Sequence, residues 1–203
     1  MYRCYWVYNL EKITFSKLLL YIHFFQGRSL ISSITTSFGF LRCWRAQDAQ
    51  TLVKYANNRN VSINMRDGFS YPYTLRDAKT FLETVSKQNP VTFYAIATSE
   101  ETIGGIGVSI NTDVHRLTAE LGYWLAEPYW GKGIMTEAVS TFTEYAFAHF
   151  GLIRIYAQPY ANNFGSCRVL QKAGFLLEAR MEKNVIKDGQ ILDQFLYAKV
   201  EEK

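Results

Sequence analysis

The chain has 203 residues, of which 48% are hydrophobic, 16% aromatic and 20% charged, with 22 Lys and Arg against 18 Asp and Glu. That apolar share suits one domain with a buried core and excludes global disorder; 4 Pro and 13 Gly exclude collagen-like and low-complexity architectures. No run reaches the ~18 to 20 apolar residues that span a bilayer, so the expectation is a soluble protein with no membrane partner.

The charge is unevenly spread. Residues 1–36 hold Arg3, Lys12, Lys17 and Arg28 against Glu11, a net of +3, which leaves 18 basic and 17 acidic groups over residues 37–203. So balanced a body lacks the many phosphate contacts of nucleic-acid binding, and no nucleic-acid partner is expected. Cys4, Cys43 and Cys167 are odd in number and far apart, with neither disulfide nor zinc spacing. His23, His115 and His149 are equally scattered. The expectation is no metal and a reducing, cytoplasmic setting.

Residues 1–36 read as an N-terminal extension, disordered or a loosely docked arm, with the domain proper at 37–203. Leu18 to Phe25 follows Lys12 and Lys17 in a way that loosely resembles a signal peptide, but no small-residue cleavage site follows. An upstream extension of the reading frame is the other reading. Phe38 to Trp44 alternates as a strand, and Ala49, Leu52, Val53 and Ala56 have helical spacing over Asp48–Asn58. After an irregular stretch, Thr74 with Asp77 three residues on predicts a capped helix, which Asn89-Pro90 stops. Three strands follow at Val91–Thr98, Thr102–Asn111 and Leu117–Ala126, joined by links short enough for hairpins. A helix over Ile134–Phe150 ends at Gly151, Leu152–Gln158 reads as a strand, and Asn163 caps a short helix ending at Gly174. Phe175–Val185 and Gln190–Lys199 form a last hairpin. The order implies an α/β (α+β) fold, a mixed sheet with helices on its faces.

The segment from Glu120 to Ala138 is the most informative. A strand runs through Pro128 into Gly131-Lys132-Gly133, and a helix begins at once. Glycines let the backbone approach a ligand, and the helix start presents unpaired N–H groups and a positive dipole end, which suits a pyrophosphate. A simple turn with no ligand would use the same residues. The Walker and dinucleotide fingerprints do not fit.

With Leu41 to Ala49, Glu120 to Leu125, Trp130 to Ala138 and Asn163 to Phe175 in this order, residues 37–200 resemble the GNAT superfamily of acyl-CoA-dependent N-acetyltransferases. The likeness is to the branch of the RimJ/RimL ribosomal-protein N-terminal acetyltransferases. It implies a mostly antiparallel central sheet of six or seven strands with helices on both faces, acetyl-CoA as co-substrate, and a homodimer as a family-level expectation. Backbone amides of Trp130, Gly131, Lys132, Gly133, Ile134, Met135 and Thr136 would hold the pyrophosphate, although the family usually has Gln or Arg in place of Trp130 and a small residue in place of Met135. Leu125 would offer main-chain groups to the pantetheine arm. Asn163 and Ser166 match the branch's Asn-x-x-Ser coenzyme motif.

Acyl transfer from a thioester needs a neutral amine, and α-amino groups (pKa ~8) and lysines (~10.4) are largely protonated near neutrality. Glu120 is the candidate base, through water; otherwise it is a strand-edge carboxylate paired with Arg116 or a surface cation. The family's proton-donating Tyr position is Leu170 here, so Ser166 is the candidate in its place, or simply a first-turn hydrogen-bonding residue. A thiol of pKa ~8.5 leaves without strong acid help. Cys167 reads as a buried thiol, so direct transfer in a ternary complex is expected. Arg66 and Asp67 would recognise acceptor charge, and Phe69, Tyr71 and Tyr73 would wall it; a locally closed loop is the alternative. Tyr123 either reaches the cleft or packs at its rim. The acceptor would be a protein N-terminus or an amine-bearing small molecule. An acyl-CoA-binding sensor or interaction module with little or no turnover is the competing reading.

Overall fold

The computed structural model describes residues 33–201. Eight strands form one sheet: β1 (Ser33–Thr36), β2 (Gly39–Cys43), β3 (Phe93–Ala97), β4 (Thr102–Ile110), β5 (Thr118–Leu125), β6 (Arg154–Ala157), β7 (Leu176–Lys187) and β8 (Gln190–Val200). Their order is β1-β2-β3-β4-β5-β6-β8-β7, and every pairing is antiparallel except β5 with β6. The helices are α1 (Ala49–Ala56), α2 (Arg59–Ser62), α3 (Leu75–Ser86), α4 (Ile134–Phe150) and α5 (Phe164–Lys172).

The expected mixed, mostly antiparallel sheet is present, with eight strands rather than six or seven. The added one is β1, which pairs with β2 from Ser33↔Arg42 to Thr36↔Gly39. It comes from residues read as part of the extension; the rest of that extension lies outside the described residues. The turn between β1 and β2 is fixed from afar, because Glu137 in the first turn of α4 accepts hydrogen bonds from the backbone N–H (2.7 Å) and hydroxyl of Ser37.

Local chemistry sets the helices. Thr74 and Asp77 form a reciprocal capping box that starts α3. Gly133 and Gly151, both left-handed, bound α4. Asn163 accepts from the N–H of Ser166 at 3.1 Å and starts α5. The stretch between α1 and α3, read as irregular, begins with the single turn of α2, capped by the side chain of Asn58.

Two apolar clusters cover the two faces. On one, α4 and α5 bury Ala138, Val139, Phe142, Ala146 and Leu170 against Leu41, Ile106, Leu121 and Ile155. On the other, Ala49, Leu52, Ala56, Ala78 and Leu82 pack with Trp44, Phe81 and Trp124. Among the described residues no helix is long and apolar enough to cross a membrane.

A buried ion pair joins β2, α1 and β4. Arg42 donates to both carboxylate oxygens of Asp48 at 2.8 Å, and Thr102 donates to Asp48 at 2.7 Å. Burial pushes the Asp48 carboxyl up, but the bonds from Arg42, Thr102 and the Arg45 N–H outweigh it and hold the group below its ordinary 3.8. With side-chain exposures of 12% and 8%, neither partner has water to fall back on. Asp48→Asn is therefore expected to lower unfolding free energy by about 3 kcal/mol in urea titrations at pH 7. Because the folded pKa is depressed, that contribution is complete above about pH 4 and is lost as the pH falls through the folded pKa, so the gap between the proteins narrows in acid.

Candidate active site

Strand β5 pairs with β6 only from Thr118↔Arg154 to Glu120↔Tyr156. Beyond Glu120 the two strands part, while β5 stays paired with β4 as far as Gly104↔Leu125. The parting opens a cleft of about 1390 Å³ lined by Glu120, Leu121, Gly122, Tyr123, Trp124 and Leu125 together. Side chains alternate across a strand, so this lining includes both faces of β5, and the cleft passes through the sheet. Its volume exceeds the 300–1,000 Å³ common for a single small ligand.

At one end lies the bend before α4. Gly131 and Gly133 have φ of +74° and +80°, conformations that strain any residue with a Cβ. Gly133 is the N-cap and has no side chain with which to cap. The first intrahelical bond is from the Glu137 N–H to the Gly133 carbonyl, 3.1 Å, so the amides of Gly133 to Thr136 have no acceptor within the helix. Glu137, the acidic residue of that turn, is engaged with Ser37. Met135 is 7% exposed and packs with the core cluster, while also contributing to the lining of the cleft. Lys132 lies with its ammonium 5.4 Å from the Tyr129 ring centroid and does not line the cleft. Bare amides, a dipole end and open space fit a pyrophosphate.

The approach to this bend is braced. Glu127 accepts from Asn58 at 2.7 Å and Asn60 at 2.8 Å. Glu101 accepts from Lys54 at 2.9 Å, from Tyr55 and from Tyr129 at 3.3 Å. Burial, with the neighbouring Tyr55 and Glu101 adding to it, raises the Tyr129 hydroxyl to about 12. The Trp130 indole N–H donates to the carbonyl of Leu125 at 2.7 Å, tying the bend to the end of β5.

At the opposite end Glu120 forms an ion pair with Arg66, not with Arg116, which donates to the Asp113 carbonyl. Phe69 and Tyr73 wall the cleft, whereas Tyr71 is 50% exposed, under the Arg59 guanidinium, and does not line it. Asp67 is drawn away by Lys187 at 2.9 Å, and Tyr160 donates to the Met65 carbonyl, so this loop is pinned beside β7. Sequence reasoning missed Trp44, Phe81 and Trp124. Phe69 lies edge-on to Trp124 at 5.8 Å, and Phe81 to Trp44 at 5.1 Å. The glycines of β4 were their available signal: a Cβ on Gly105 would stand 2.9 Å from both indoles. Asn163 and Ser166 line the cleft from α5, and the Ser166 hydroxyl is 2.7 Å from that of Tyr123.

The model of the acetyltransferase (GNAT) domain matches residues 40–176. The chain belongs to the GNAT acetyltransferase family. Over 170 residues it is 31% identical to the uncharacterized N-acetyltransferase YnaD of Bacillus subtilis, covering 83% of this chain and 97% of that protein. The probable N-acetyltransferase YjcK of the same organism is 50% identical over 72 residues, 36% of this chain and 40% of that one. Among solved structures, RimL, a ribosomal L7/L12 alpha-N-protein acetyltransferase in complex with coenzyme A, superposes with a TM-score of 0.73 at 19% identity, covering 82% and 96% of the two chains.

In this GNAT acyltransferase the bend is tested by adding one side chain. Gly133→Val meets no protein atom within 4 Å of its Cβ, so its cost to the fold is backbone strain alone. Gly189, at the β7–β8 turn, has the same freedom at φ +76° and is the control. Both valine variants are expected to lose a similar ~1 to 2 kcal/mol of stability. Only Gly133→Val should also weaken acetyl-CoA binding, about ten-fold or more by calorimetry, since it covers the amides.

Proposed function

We propose that this enzyme transfers the acetyl group of acetyl-CoA directly to an amine, with both substrates held together in the cleft. The observation that supports this most is the passage through the sheet: one opening has the amide-bearing bend, the other has Glu120 under aromatic walls. Amides of Gly131 to Thr136 would take the diphosphate, with Trp130 and Ile134 flanking it and Lys132 outside. The pantetheine arm would lie in the gap beside Leu125 and Asn163. Since the Leu125 carbonyl accepts from Trp130, an arm that uses this group must turn the indole aside.

Glu120 would take the proton of the incoming ammonium through water, and the amine would then attack the thioester carbonyl. A main-chain N–H near Leu125 would face the developing oxyanion. Ser166 would donate a hydrogen bond to the departing sulfur. Arg66 would yield its place on Glu120 as the acceptor arrives, and Phe69 and Tyr73 would flank it, with Tyr71 at the outer rim. The acceptor we favour is a protein N-terminal α-amino group, in the cytoplasm. Arg66 at that end is 69% exposed, and RimL, with which the fold superposes, is named for this acceptor class.

Thiol release from acetyl-CoA with a panel of peptides of varied first residue, amino sugars, polyamines and amino acids tests the reading. Peptides are expected to turn over fastest. Binding of acetyl-CoA with no thiol release from any amine would favour a sensor instead. Glu120→Gln should lower turnover by about 100-fold near pH 7 with acetyl-CoA affinity unchanged. The gap should narrow towards pH 9, where the α-amine is already neutral, as a pH–rate profile would show. Gly122 has nothing within 4 Å of its absent Cβ, on the same face as Glu120 and Trp124. Gly122→Leu should therefore raise the acceptor KM about ten-fold and leave the coenzyme KM unchanged.

A further inference from the structure

The described cleft contains a pair of hydroxyls drawn from different elements. Tyr123 leaves β5 beyond the last β5–β6 pair, on the face shared with Leu121 and Leu125, and reaches the first turn of α5. Its Oη is 2.7 Å from Ser166 Oγ and donates towards the Ser166 carbonyl at 3.3 Å. The Ser166 N–H is already held by Asn163 at 3.1 Å, so the serine backbone is fixed and only its hydroxyl rotates. One turn along α5, Leu170 is fully buried and offers no hydroxyl.

We infer that Tyr123 is a positioning residue for Ser166, aiming the serine hydrogen at the sulfur that leaves in acyl transfer. The inference rests on the reading of the cleft as an acetyl-CoA site. Two arrangements share the two hydrogens. In one, Ser166 donates to Tyr123 while Tyr123 donates to the Ser166 carbonyl. In the other, Tyr123 donates to Ser166 Oγ, and the serine hydrogen is free to turn outward. A nearby thiolate favours the second, since a hydrogen bond to a charged acceptor is the stronger one. Burial pushes the Tyr123 hydroxyl up, which keeps it a neutral donor.

No proton leaves either hydroxyl. The amine nitrogen bonds to the carbonyl carbon, the carbon–sulfur bond breaks, and its electron pair stays on sulfur. The nitrogen sheds two protons between ammonium and amide, each passed by Glu120 and its water to solvent. The thiolate, of pKa ~8.5, takes one back from solvent, so one proton is released overall. Ser166 stabilises the charge as it forms, and Tyr123 polarises the serine that does so.

Tyr123→Phe, Ser166→Ala and the double variant are compared by kcat, acetyl-CoA KM and melting temperature. Tyr123→Phe should lower kcat about ten-fold with KM and melting temperature unchanged, and the double variant should be no slower than Ser166→Ala. An unchanged kcat, losses that multiply, or a fall in melting temperature that accounts for the loss would overturn the inference. Binding gives a readout independent of turnover. At about pH 9.5 the free thiol is largely ionised, and wild type should bind CoA more tightly than desulfo-CoA while Tyr123→Phe should not. If wild type turns over no amine, the transfer reading fails, and this comparison alone decides the role of Tyr123: equal preference in both proteins overturns it.

Discussion

A parallel strand pair that stops short governs the rest of this molecule. β5 and β6 share three residue pairs and then diverge at Glu120, yet β5 continues for five more residues on the support of β4 alone. Main-chain groups alternate between the two neighbours of a strand, and here Thr118 and Ala126 bond towards β4 while Leu117 bonds towards β6. Leu121, Tyr123 and Leu125 therefore turn theirs towards a neighbour that is no longer there. In a sheet interior this is costly unless the groups find other partners. Here the Trp130 indole supplies one, at the Leu125 carbonyl. The opening also lets one strand present Glu120 and Trp124 to one face and Tyr123 and Leu125 to the other, so groups from opposite sides of the sheet reach a common space.

The surroundings hold that opening fixed. The buried Arg42–Asp48–Thr102 cluster locks β2, the start of α1 and β4 together. Glu127 and Glu101 receive side chains from α1 and α2 and brace the chain entering α4. The left-handed glycines then turn it so that the helix starts with bare amides. A preorganised dipole of this kind costs no rearrangement when an anion arrives. The Glu120 end is built differently: Arg66–Glu120 is a largely exposed pair, which exchanges readily with other charges, while the exposed Asp67 holds its loop to the buried ammonium of Lys187.

Much of this was legible in the sequence where the signal is local. The α4 boundaries match residue for residue because glycines mark both ends, and the Thr74–Asp77 and Asn163 caps are readable from spacing. The bend itself stood out as Gly131-Lys132-Gly133. What escaped depends on contacts distant along the chain. β1 has too weak an alternation to be seen without its partner β2. Arg66 finds Glu120 across 54 residues, where Arg116 was the nearer guess. Trp44 just past β2, Phe81 on α3 and Trp124 on β5 are brought around one cavity only by the packing of the helices on the sheet. Tyr71 and Tyr73 alternate along the loop, and only Tyr73 turns inward.

The most direct measurement is a crystal structure with coenzyme A soaked into the cleft. The account predicts the diphosphate within hydrogen-bonding distance of main-chain amides between Gly131 and Thr136. It also predicts the arm threaded between β5 and β6, with the Trp130 indole lifted from the Leu125 carbonyl. Coenzyme bound elsewhere on the surface, or the Trp130 indole still on the Leu125 carbonyl at saturating ligand, would contradict it.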